Sequence, residues 1–262
     1  MDIITLLGVG IIVGIIAGLL GLGGGAIVVP ALLWVFQTNS HIPTIHMMHI
    51  AIGTSLATIV ITSISSIIAH HQHQAILWPV AKQLTPGILL GALLGVIVAN
   101  SLSYIYLRTI FSIFLLVVAT QMILNFSPKT HRNLPKWPGM TLVGILIGKL
   151  SALVGVGGGS LTVPFLVWCQ VPIRNAVATS ATCGLPIAVS GTIGFVIVGW
   201  NVEGLPAWSL GYIYLPALVG ITGTSLLFAP VGAKLAHTLP VKLLKKIFAV
   251  FLLLVAFKLI IH

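Results

Sequence analysis

The sequence predicts an all-α polytopic membrane protein: a helical bundle of two inverted repeats, each opening with a glycine-broken helical hairpin, re-entrant or discontinuous. Three observations carry this. The chain is 58% hydrophobic and only 5% charged, whereas a soluble domain carries roughly 25% charged residues. Its apolar runs exceed the roughly 20 residues that cross a hydrocarbon core, and they lack the alternation of a barrel strand. Finally, the string Leu20-Gly21-Leu22-Gly23-Gly24-Gly25-Ala26-Ile27-Val28-Val29-Pro30 returns as Val154-Gly155-Val156-Gly157-Gly158-Gly159-Ser160-Leu161-Thr162-Val163-Pro164.

The first segment, 3–37, contains the first of these strings. Glycine costs a helix about 1 kcal/mol per residue relative to alanine, so the helix is expected to break there and to leave amide N–H groups unpaired where the chain resumes. The limb that follows, 26–37, would be about 18 Å long at 1.5 Å per residue, too short to span alone. Segments 45–69, 79–100 and 104–125 come next. A polar connection from Ser127 to Lys136 is followed by the same order again: 139–170 with its own break, 174–199, 208–231 and 241–261. The chain thus divides into a first repeat, 1–126, a cytoplasmic linker, 127–138, and a second, inverted repeat, 139–262.

The correspondence extends beyond the glycines. Ala51-Ile52-Gly53-Thr54-Ser55-Leu56-Ala57 aligns with Ala176-Val177-Ala178-Thr179-Ser180-Ala181-Thr182, Pro86 with Pro216, and Leu107 to Leu116 with Leu244 to Leu253. Four segments recurring in one order indicate duplication. The start, Met1-Asp2-Ile3, lacks the basic region of a signal peptide and reads as the mature first helix.

Charge decides between two topologies. If every segment crosses once, one side collects Lys82, Lys129, Arg132, Lys136 and Lys258 and the other Arg108, Arg174, Lys234, Lys242, Lys245 and Lys246, with no bias. If each glycine-broken segment folds back, Lys82, Lys129, Arg132, Lys136, Arg174, Lys234, Lys242, Lys245 and Lys246 share one side and only Arg108 and Lys258 lie on the other. The second arrangement has the asymmetry of the positive-inside rule. It also puts both acids, Asp2 and Glu203, on the basic-poor side, places both termini outside the cytoplasm and turns the second copy upside down. The formal charge of +10 is thereby a matter of topology, and nucleic acid is not an expected partner. Cys169 and Cys183 sit in apolar segments, where thiols behave as small hydrophobes.

Inverted repeats with discontinuous helices characterise many secondary transporters, whose sites lie near the bilayer midplane. No acid falls inside a predicted span, which disfavours a cation as cargo. Donors for an anion are plentiful. A helix start presents free amides and the positive end of a dipole, which nominates Gly23, Gly24, Gly25 and Ala26 in the first half and Gly157, Gly158, Gly159 and Ser160 in the second. Hydroxyls of Ser160 and Thr162 add to these donors, and those of Thr54, Ser55, Thr179 and Ser180 would face the breaks, although Ser and Thr also bond readily to their own helix. Lys149, inside a predicted span, is a candidate for coupling or gating, or a snorkelling residue. His49 and Arg174, each five residues before a Thr-Ser pair, are candidates for screening anions, and His49 for titrating. His70, His71 and His73 lack Cys or acid partners and read as a solvated loop; no metal or other cofactor is expected. Trp78, Trp137, Trp200 and Trp208 read as interfacial anchors, and Trp34 and Trp168 as either cavity-lining or packing residues.

The two Gly-x-Gly-Gly-Gly strings closing on Pro30 and Pro164, each followed by a Thr-Ser pair, with Gly211-Tyr212 and Ala229-Pro230-Val231-Gly232-Ala233 in the second half, resemble the sulfite exporter TauE/SafE family of membrane permeases over essentially the whole chain. The resemblance implies an exporter or permease of sulfur-containing anions such as sulfite or organosulfonates, in a prokaryotic inner membrane. The expectation is therefore a secondary anion transporter working by alternating access, since no ATP-binding loop is present, with protons as a conceivable coupling ion and a homo-oligomer compatible with the chain. A passive anion channel would share the donors and topology. A membrane-embedded enzyme is disfavoured, because no intramembrane acid is available to pair with Ser or His.

Overall fold

The computed structural model describes residues 3–20, 25–37, 42–124, 133–238 and 241–261. Among them are α1 (Ile3–Leu20), α2 (Gly25–Gln37), α3 (Thr44–Gln72), α4 (Trp78–Ser101), α5 (Tyr104–Ile123), α6 (Trp137–Val154), α7 (Gly159–Trp168), α8 (Ile173–Gly199), α9 (Leu215–Thr238) and α10 (Val241–Ile261). A small antiparallel ribbon, β1 (Ser209–Leu210) with β2 (Ile213–Tyr214), lies between α8 and α9. The protein is an all-α polytopic membrane protein: α3, α4, α5, α6 and α8 are each long and apolar enough to cross a bilayer.

Side-chain and backbone contacts fix the direction of each helix. His49, near the start of α3, bonds the Ala99 carbonyl near the end of α4, so these two run antiparallel. Arg174 and Asn175, at the start of α8, donate to the carbonyls of His73 and Ala75 in the α3–α4 connection, so α8 begins at the end where α4 begins. Meanwhile α6 runs parallel to α4, with Gly87 against Thr141, Gly91 against Ile145 and Gly95 against Lys149. The starts of α6 and α8 therefore lie at one end of the bundle, and the α6–α7 segment enters and returns. The first half does the same from the opposite end: α1 runs parallel to α9, with Gly10 against Ile221 and Gly14 against Ser225, and α3 starts beside the connection that leads into α9. Both glycine-broken segments fold back, and they do so from opposite ends.

The two halves exchange contacts across a pseudo-two-fold relation. α1 packs on α9 as α6 packs on α4, while α3 pairs with α8 and α5 with α10. Two hydrogen bonds express this symmetry. Thr54 in α3 accepts the amide of Tyr214, the residue just before α9, and Thr179 in α8 accepts the amide of Leu77, the residue just before α4. Each half caps the other.

Small residues make the parallel pairs possible. A Cβ at Gly87 or Gly91 would collide with the carbonyl of Thr141 or Ile145, and one at Gly148 with that of Ile88. Glycine at four-residue spacing lets the backbones touch, which is how helices associate in lipid, where no hydrophobic gain is available.

Two sequence expectations change. The segment expected at 208–231 becomes the ribbon followed by a helix that starts at Leu215, because Trp208 and Gly211 adopt left-handed φ angles of 66° and 56° that stop a helix. Pro86 does not correspond to Pro216. Pro86 lies inside α4, whereas Pro216 follows the first residue of α9 as Pro79 follows the first residue of α4. The Leu77 and Tyr214 capping bonds fix this register.

Candidate functional site

α6 ends at Gly155, whose φ of 70° is the left-handed conformation that glycine reaches without strain. Its amide and that of Val156 both donate to the Ser151 carbonyl, closing the helix. The chain then turns through Val156 and Gly157, and α7 begins when Leu161 and Thr162 donate to the Gly158 carbonyl. The amides of Gly159 and Ser160 precede that ladder, as first-turn amides must, and so point forward from a helix start.

The two breaks meet. Gly25, the first residue of α2, backs onto the Val156 Cα and the Gly155 carbonyl, leaving 2.9 and 3.0 Å for a Cβ, and Val29 reaches Gly155. Ile59 touches Gly25 and Gly157 from near the middle of the 29-residue α3. On the far side, Gly158 rests on the Ser180 carbonyl and beside the Gly184 amide in α8. The junction is therefore enclosed by α3 and α8 at mid-depth.

Most of the predicted hydroxyls are already engaged. Ser55 donates to the Gly155 carbonyl over 2.8 Å, tying α3 to the second break. Thr54 and Thr179 are the interhalf caps described above. Ser180 donates to Val177 in its own helix. Gly25 and Ala26 are buried at the start of α2, Gly157 and Gly158 are buried at the second break, and Gly159 and Ser160 are half-buried there. Gly23 and Gly24 lie outside the described residues. Among the hydroxyls nominated from the sequence, that of Thr162 remains uncommitted: it is fully buried and without a hydrogen-bond partner. It lies 3.2 Å from the position a Gly158 Cβ would occupy. Ser151, beneath the same turn, has a second unpartnered buried hydroxyl. Unpartnered hydroxyls beside the first-turn amides of a helix start are donors suited to an anion. The sequence signal for Thr162 was its place in the first turn of the limb after the break.

The expected coupling residues lie elsewhere. Lys149 is exposed on α6 beside exposed Leu146 and Leu150, level with Gly95 near the end of α4, and its side chain does not enter the junction. Arg174 is exposed and holds the His73 carbonyl. His49 is buried, its Nε2 bonded to Ala99 at 3.0 Å and its Nδ1 unpartnered, and its ring stacks on Tyr212 at 5.0 Å. Tyr212 also meets Phe195 edge-on, its carbonyl sits 2.8 Å from where a Gly53 Cβ would be, and burial pushes its phenol above the ordinary range. The ribbon thus packs over α3 and α8 at the end of the bundle where α1 starts. Toward the linker end, Ala75 and Ile76 pack on Ala178. His71 meets Trp78 edge-on. Cys169 and Cys183 are buried free thiols.

A family model described as sulfite exporter TauE/SafE matches residues 6–259. The chain belongs to the TauE/SafE family. Curated relatives of this TauE/SafE protein carry the description probable membrane transporter protein. One from Haemophilus influenzae is 39% identical over 95% of this chain and 94% of its own length. One from Methanocaldococcus jannaschii is 33% identical over 79% of this chain and 76% of its own. One from Bacillus subtilis is 28% identical over 92% of both. No solved structure matches. Family and relatives make this TauE/SafE chain an integral membrane transporter.

Proposed function

We propose that the cargo is a small anion of the sulfur-containing class that includes sulfite and sulfonates, carried by alternating access through the junction of the two glycine breaks. The observation that carries this reading is the unpartnered Thr162 hydroxyl beside the first-turn amides of α7, enclosed where the breaks touch. Buried donors without acceptors cost about 1–3 kcal/mol each, and an anion would satisfy several together. The family description supports the sulfur class, and the enclosing helices contribute no acid that would favour a cation. The fold-back of both hairpins gives nine basic residues on the linker side and two on the terminus side, so the linker face is assigned to the cytoplasm of a prokaryotic inner membrane. Release to the outside then requires the ribbon carrying Tyr212 to move off α3 and α8, and release to the inside requires displacement of Ala75 and Ile76 from Ala178.

The test is a counterflow screen in proteoliposomes with sulfite, a short sulfonate, thiosulfate and acetate, comparing wild type with Gly158→Ala and Thr162→Val. A Cβ at Gly158 would press to 2.8 Å from the Ser180 carbonyl and into the space before Thr162, so Gly158→Ala should abolish counterflow of the preferred anion. Thr162→Val, close in shape, should keep the fold and lose about tenfold or more in apparent affinity, the worth of one hydrogen bond to a charged group. Undiminished counterflow in both variants would remove the break from the mechanism. Unitary currents in place of saturable counterflow would make the protein a channel.

A further inference from the structure

A cavity lies away from the junction, between the first hairpin and α10. It has a volume of about 260 Å³ and is lined by Val13 and Ile16 of α1, Ile27, Ala31 and Trp34 of α2, and Val255 of α10, with Gln37 and Lys258 at one end. Its walls are almost wholly apolar, and its neighbours Ile12 and Phe257 face outward with more than half of their surface exposed. From Ile27 to Gln37 the slot runs ten residues along α2, about 15 Å, or half of a hydrocarbon core of roughly 30 Å. One leaflet deep, apolar throughout and ending at a cation: this is the outline of a lipid acyl chain with its head group at the rim. Among the described residues Lys258 has no ion-pair partner.

The duplicated sequence shows that the slot is particular to the first half. Aligned on Pro30 and Pro164, Ala31 falls opposite Phe165, and Gln37 opposite Val171. Aligned on Phe111 and Phe248, Lys258 falls opposite Gln121. In the second half the half-buried Phe165 packs against the core, a bulky ring where the first half has Ala31, and the position of the cation is neutral. The small residue and the charge are thus both replaced in a copy that shares the rest of the scaffold.

We propose that this slot is a binding site for a phospholipid with an anionic head group, one acyl chain lying between α1, α2 and α10 and the phosphate against Lys258. The site is independent of the anion junction and stands whether or not that reading does. The test uses the full chain equilibrated with vesicles of equal parts phosphatidylglycerol and phosphatidylcholine, then examined by native mass spectrometry. Wild type should retain one lipid with about fivefold preference for phosphatidylglycerol, the scale expected of one surface lysine. Ala31→Phe, which installs the residue the other half already carries, should lose the bound lipid while keeping its helical circular dichroism. Lys258→Gln, an exposed change, should keep a lipid but lose the preference. Equal lipid retention by Ala31→Phe and wild type would overturn the proposal, as would an unchanged preference in Lys258→Gln. Displacement of the lipid by inorganic phosphate alone would show that the chain is not held, and a lipid-free dimer would show that a second copy fills the slot; either result also overturns it.

Discussion

Ser55 shows how a side chain nominated for ligand binding serves the architecture instead. Its hydroxyl spans 2.8 Å to the Gly155 carbonyl, so it holds the second break against α3 and has no spare proton for a ligand. Ser55→Ala would leave that carbonyl with one acceptor site empty. Such bonds in lipid are worth about 0.6–1.7 kcal/mol, so a fall of that order in stability is expected in denaturant titrations in mild detergent, with substrate affinity changed less than by Thr162→Val. A larger loss of affinity for Ser55→Ala than for Thr162→Val would reverse the two roles. The distinction was not legible in the sequence, because Thr-Ser pairs recur identically in both halves while Ser55 and Ser180 find different partners: a carbonyl of the other half and a carbonyl of its own helix.

The parallel pairs α4–α6 and α1–α9 are made by glycine at close approach, and a single branched side chain should part them. Gly91→Val would drive methyl groups into the Ile145 carbonyl and its neighbours. Overpacking costs about 1–3 kcal/mol and occasionally more, and because backbone rather than a flexible side chain stands in the way, a loss at the upper end or beyond is expected, read as lower thermal stability and reduced yield of folded protein. Gly8 has open space where its Cβ would point, so Gly8→Ala should be neutral or slightly stabilising. Equal stability of the two variants would contradict the packing described. Helix boundaries at this scale were largely readable from hydropathy and glycine placement. The ribbon at Ser209–Tyr214 was not, because its residues are as apolar as a span, and only the positive φ angles at Trp208 and Gly211 separate it from one.

For the whole molecule, the orientation is open to a direct check. In a background lacking Cys169 and Cys183, an impermeant maleimide should label Glu203→Cys from outside intact cells, and Lys136→Cys only in inverted vesicles. Both positions are exposed connections at opposite ends of the bundle. Labelling of both from one face would contradict the fold-back of α6 and α7, and labelling of Lys136→Cys from outside would invert the proposed orientation. Opposite insertion of the halves brings the two breaks together from two directions, with the Tyr212 ribbon packed toward one end of the bundle and Ala75 and Ile76 toward the other.

Composition, the duplicated glycine strings and the distribution of lysine and arginine determined by themselves that this is a membrane bundle of repeated halves, since burial in lipid, helix breaking and charge placement are each local consequences of residue type. Tertiary structure alone decided which donors remain unpaired. Hydrogen-bond satisfaction depends on what another segment brings within about 3 Å, and here the partners of Thr54, Ser55 and Thr179 lie 100 or more positions away in the chain, leaving Thr162 uncommitted where the two breaks touch.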